Sequence, residues 1–205
     1  MKNTILLATL LTASLTFGAD AKKKMAAPVA ASAITQADVT GTLKWTGFGV
    51  GKTHTGDLNI KSGKIDMKGD EIVGGQFTID MASLKTADSP KLQGHLQSAD
   101  FFDVQKFPEG TFKITQIEAI KDAKTGGPTH KITGDLTIKG KTHSETLLAT
   151  VNKAGAKWNA KAETEIKDRT KYDIVYNSAQ FKTASALGDK LIQDNIKIEM
   201  NLVTK

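Results

Sequence analysis

Stretch after stretch of this chain alternates apolar and polar residues with a period of two, and that repetition limits the fold more than any other feature. The apolar sets run Val39, Leu43, Trp45; Leu58, Ile60; Ile65, Met67; Val73, Phe77, Ile79, Met81; Phe112, Ile114; Ile132, Leu136, Ile138; Leu147, Ala149, Val151; Trp158, Ala160, Ala162, Ile166; Tyr172, Ile174, Tyr176; and Ile196, Ile198, Met200, Leu202. Each puts one face of a strand in a dry interior and the other in water. Ser62-Gly63, Lys68-Gly69-Asp70, Gly126-Gly127-Pro128, Lys139-Gly140-Lys141 and Ala154-Gly155 read as the turns between them. Eight to ten strands joined this way predict a mainly β, antiparallel up-and-down barrel, with a sandwich as the alternative.

One segment breaks the pattern. Ser89 and Pro90 form a helix start, and Leu92, His95, Leu96 and Ala99 follow at helical spacing. Asp100-Phe101-Phe102-Asp103 and Phe107-Pro108 come next. A lone short helix needs an apolar surface to lie on, so this one is expected across the open end of the barrel, with Phe101 and Phe102 entering the interior. Small residues among the large ones, such as Gly75 beside Phe77 and Ala160 and Ala162 beside Trp158, predict a lumen that its own side chains do not fill. That geometry describes a container.

The first residues have the plan of an export signal: Lys2, an apolar run from Thr4 to Phe17, and small residues at Ala19 and Ala21. The expected organisation is a signal peptide over 1–21, a flexible alanine- and lysine-rich linker over 22–37 and one exported domain over 38–205. The apolar run falls short of the roughly 20 residues a membrane-spanning helix requires. With no cysteine, the chain has no disulfide, no thiolate metal site and no thiol nucleophile. The formal charge of +6 comes mostly from single lysines along strands, as on a solvated barrel exterior. Lys22-Lys23-Lys24 suits transient contact with an anionic membrane surface, and nothing in the chain calls for nucleic acid.

Catalytic patterns are missing. His54, His95, His130 and His143 have no metal-site spacing, and Gly51-Lys52-Thr53 lacks the first glycine of a phosphate-binding loop. No serine sits in a nucleophile elbow. Glu163 and Glu165 lie on the face opposite Trp158 and Ala162, in water. His95, on the helix face with Leu92 and Leu96, is placed to hydrogen-bond a polar headgroup or to satisfy a local backbone group. Arg169 either caps such a headgroup or pairs with an acid such as Asp168.

Several motifs together resemble the YceI-like family. They are Trp45 with His54-Thr55-Gly56, Gly74-Gly75-Gln76-Phe77-Thr78-Ile79-Asp80-Met81, and His95-Leu96 with Asp100-Phe101-Phe102-Asp103 and Phe107-Pro108. Thr111-Phe112, the stretch from Gly134 to Gly140, and Asp168-Arg169-Thr170-Lys171-Tyr172 continue the match, which runs from about Asp38 to Val203. The resemblance implies an extended lipocalin-like barrel of about eight strands around a long apolar channel, and periplasmic binding of a polyisoprenoid, an isoprenoid quinone or a similar amphiphile.

On this reading the ligand meets Trp45, Phe77, Ile79, Met81, Leu92, His95, Leu96, Phe101, Phe102, Phe112, Trp158, Arg169 and Tyr172. No cofactor, metal or enzymatic activity is expected, and a dimer is left open. The competing readings are an envelope surface-interaction protein with a merely structural core and, behind it, a lipid-modifying hydrolase using His95.

Overall fold

The structure is a computed structural model and describes residues 33–205. The expected signal and the linker as far as residue 32 lie outside the described residues. Eight strands, β1 (Ile34–Gly49), β2 (Lys52–Lys68), β3 (Glu71–Thr86), β4 (Glu109–Ala119), β5 (His130–Ile138), β6 (Lys141–Ala154), β7 (Lys157–Ile166) and β8 (Ile192–Thr204), pair in chain order. Every pairing is antiparallel, and β1 with β8 closes the barrel. β1 begins at Ile34, so the last residues expected in the linker are already paired with β2. At about 3.3 Å per residue, the 16 residues of β1 extend about 50 Å along the strand.

Two short loops show how local chemistry sets the register. Lys139 and Gly140, both at positive φ (49° and 71°), form the tight turn between β5 and β6. That geometry matches the twist of the flanking strands and favours glycine at the second position. Gly69 does the same service between β2 and β3 at φ 62°.

Three expectations about the strands change. Ser62-Gly63 is not a turn: β2 runs through it, and a register shift between Ile60 and Ser62 marks a bulge. Since a bulge inserts one residue, it switches which parity faces inward, so Gly56, Leu58 and Ile60 point in before it and Gly63 and Ile65 after it. A second shift, opposite Asp66 and Met67, sends Ile72 inward and leaves Val73 41% exposed. Tyr172, Ile174 and Tyr176 lie on no strand. They belong to the β7–β8 connection, which opens with a 3-10 turn at Arg169–Tyr172 and places Asp173 in the left-handed region.

The helix stands where the sequence put its start. α1 (Pro90–Gln97) is capped by Ser89, whose Oγ accepts from the Leu92 backbone N–H at 3.2 Å, with Pro90 in the first turn. It ends before Ala99, where the Ser98 Oγ donates to the His95 carbonyl. Because the strands form an up-and-down meander, the β3–β4 and β7–β8 connections leave the same end of the barrel. These are the two long crossovers, and between them they cover that end.

Candidate functional site

Beneath the crossovers lies a chamber of about 400 Å³. Its wall is mainly the inward rows of the strands: Leu43, Trp45, Leu58, Ile79, Met81, Leu136, Ile138, Ile166, Ile196 and Ile198. Leu92, Leu96, Phe101 and Phe102 reach it from the helix side, and Ile174 and Tyr176 from the other crossover. This volume is in the range of small-molecule sites.

Polar groups stand at the lid end and also on the strand wall, where β6 contributes Glu145 and β7 contributes Thr164. Lys52, His54, His95, Asn177, Asp189 and Lys190 line the lid end. The His95 Nε2 and Asp100 Oδ2 are 2.9 Å apart. The His95 ring meets Phe101 edge-on at 5.0 Å between centroids and Tyr176 at 4.8 Å, so this trio joins the two crossovers. On the rim, His54 Nδ1 lies 3.0 Å from Asp88 Oδ2, which also accepts from the Thr86 hydroxyl at 2.8 Å. The Thr86 bond first and the His54 contact second hold the Asp88 carboxyl below the usual carboxylate range.

Arg169 borders the chamber but is spent on the fold. Only 2% exposed, it donates to the carbonyls of Ile174 (2.6 Å), Tyr176 (2.9 Å), Gln193 (3.1 Å) and Ile192 (3.2 Å). Its guanidinium is also 3.3 Å from Asp194 Oδ1. Burial lowers its pKa, and the charges of Asp194 and Asp168 oppose that. The headgroup role considered for it therefore gives way to a structural one. Its donors are engaged by backbone carbonyls of the connection it belongs to.

Tyr172 is fully buried and does not reach the chamber. Its hydroxyl donates to Glu145 Oε1 at 2.8 Å and its ring meets His143 edge-on at 5.1 Å. Burial and then Glu145 push the phenol well above its ordinary value, so it stays a neutral donor. Glu145, which enters the chamber wall from β6, thus has a partner behind it.

Phe77 and Trp158 also lie elsewhere. They border a second hollow of about 70 Å³ at the opposite end, with Ile65, Ile72, Ile132 and Val151. The structure therefore brings together Trp45, Ile79, Met81, Leu92, His95, Leu96, Phe101, Phe102, Phe112 and Arg169 around one chamber, and leaves Phe77, Trp158 and Tyr172 out of it. Wall residues such as Leu43, Leu58, Leu136, Ile138, Ile166, Ile196, Ile198 and Met200 were in the alternating sets but not among the expected contacts. Their inward parity was the available signal. Glu145 carried none, since a carboxylate at an inward position reads as a break in the pattern.

A family model described as a YceI-like domain matches residues 31–204. The chain belongs to the YceI-like family. Among curated relatives, a UPF0312 protein of Pseudomonas putida strain W619 is 38% identical over 94 residues, 40% of this chain and 46% of that protein. A UPF0312 protein of Photorhabdus laumondii is 38% identical over 72 residues, 35% of this chain and 34% of that one. Each alignment thus spans less than half of the relative. Among solved structures, BcnA of Burkholderia cenocepacia shares the YceI-like barrel with a TM-score of 0.62 at 24% identity, over 80% of this chain and 96% of that one. A polyisoprenoid binding domain from Saccharophagus degradans shares the fold with a TM-score of 0.59 at 13% identity, over 83% and 99%.

Proposed function

We propose that this YceI-like protein binds a long apolar amphiphile, an isoprenoid-tailed lipid such as a quinone, and carries or stores it in the periplasm. The tail lies in the chamber and the polar end sits under the crossovers beside His95. The observation that carries this reading is the uneven division of the chamber wall: apart from Glu145 and Thr164 the strands present mainly aliphatic and aromatic side chains, whereas Lys52, His54, His95, Asn177 and Lys190 gather at the lid end. A polar-headed hydrocarbon matches that division. The polyisoprenoid binding domain among the fold neighbours lends support from a protein of the same architecture.

The energetics are sufficient. At about 0.8 kcal/mol per buried CH₂-sized group, one five-carbon unit contributes about 4 kcal/mol gross. Association costs roughly 4 to 15 kcal/mol, so affinity requires several such units. Short tails should bind poorly.

Protein purified from its own host, extracted with organic solvent and examined by native mass spectrometry, is expected to carry a tail-bearing species. A clean apo mass that persists after incubation with isoprenoid quinones would remove the proposal. Fractionation of cells expressing the full chain tests the compartment, with the processed protein expected in the periplasmic fraction and lost from it when residues 1–21 are deleted.

A further inference from the structure

Phe112, Leu147 and Met200 are the three residues that border both hollows. They project from β4, β6 and β8, alternate strands of the ring, so they face one another across the lumen at one level. Phe112 is held there by a recess: its ring takes the space that a side chain on Gly134 of β5 would fill, with Cε1 2.8 Å from the position of an ideal Cβ. All three are apolar. These side chains therefore act on a hydrocarbon chain through their size.

We propose that this constriction sets the length of tail that the protein accepts. The inference rests on the function proposed above. A tail fills the upper chamber down to Phe112, Leu147 and Met200, and further units find no connected space, because the lower hollow lies beyond these side chains. Packing at such a level is sensitive, since a single extra methylene in an apolar site changes affinity by about tenfold or more. Met200 is the most adaptable of the three, with an unbranched side chain.

The test is a binding series of isoprenoid quinones of increasing prenyl number, followed by quenching of the Trp45 and Trp158 fluorescence. For the unaltered protein, affinity is expected to climb with each unit and then level off. Phe112→Ala is expected to move the levelling point to longer tails, with the longest quinone gaining about tenfold over the unaltered protein and the shortest unchanged. Met200→Ala opens the same level from the opposite side and serves if Phe112→Ala does not fold. An affinity that keeps climbing through the whole series in the unaltered protein overturns the constriction, and so do variants that level off where it does. If the unaltered protein binds no quinone of any length, the proposed function itself fails.

Discussion

The indole of Trp45 on β1 occupies the space that a side chain on Gly56, its direct partner on β2, would need: Cζ2 and Nε1 each lie 2.6 Å from the position of an ideal Cβ. Two more rings are seated the same way, Phe77 on Gly63 and Phe112 on Gly134. A glycine inside a strand is costly because it gives up a side chain and backbone order, and a ring from the neighbouring strand restores the lost packing. Here the arrangement has a second effect. Each seat fixes where its ring stands: Trp45 on the wall of the upper chamber, Phe77 on the lower hollow and Phe112 on the level that borders both.

Gly56→Ala should therefore destabilise the barrel by about 1 to 3 kcal/mol, the usual cost of overpacking, because the new methyl meets both the Trp45 indole and the Lys85 carbonyl. Urea denaturation followed by Trp fluorescence measures it. Gly94 provides the contrast. It lies within α1 with open space around the missing Cβ, and Gly94→Ala should stabilise by about 0.5 to 1 kcal/mol. The same sign for both would refute the seating argument.

Arg169→Ala should be the most damaging change in the β7–β8 connection. It removes donors to four carbonyls and leaves Asp194 without its guanidinium in a buried setting. Breaking such a buried pair costs about 3 to 5 kcal/mol. Arg169→Lys should recover little of it, since one ammonium cannot reproduce a planar fork. Thermal melts of both variants check this, and a melting temperature restored by lysine would show that charge alone is required.

The rim contact of Asp88 makes a pH dependence. Its folded pKa is lowered by the Thr86 hydroxyl and then by His54, so the carboxylate favours the folded state throughout the range above the ordinary Asp value, near about 4. That contribution fades as pH falls through the depressed folded value. The melting temperature of the wild-type protein should exceed that of Asp88→Asn by a constant margin near neutral pH, and the margin should shrink on acidification. A margin that widened in acid would reverse the assignment.

Tail and headgroup roles separate by mutation. Phe102 lies on the chamber wall, so Phe102→Asp places a charge against hydrocarbon, whereas His95→Ala removes a polar group at the lid end. Quinone binding should weaken by at least about tenfold in the first and by less in the second. Equal losses, read by the same fluorescence titration, would dissolve the division.

Local chemistry made much of this protein legible in advance. Alternation named the inward rows of most strands, Ser89-Pro90 marked the helix start, and Lys139-Gly140 marked a turn, because each depends on neighbours within a few residues. Depth along the barrel depends instead on how distant strands are staggered, and bulges switch parity without a local sign. So Val73 and Ile72 exchanged places, Ser62-Gly63 proved continuous with its strand, and Phe77 and Trp158 fell in the lower hollow rather than beside His95. The roles of Arg169 and Tyr172 were likewise settled by partners far away in sequence, Asp194, Gln193 and Glu145. The sequence alone determined that a closed barrel with a greasy interior would form. Only tertiary register decided where that interior is hollow, where it is pinched and which polar groups stand at its mouth.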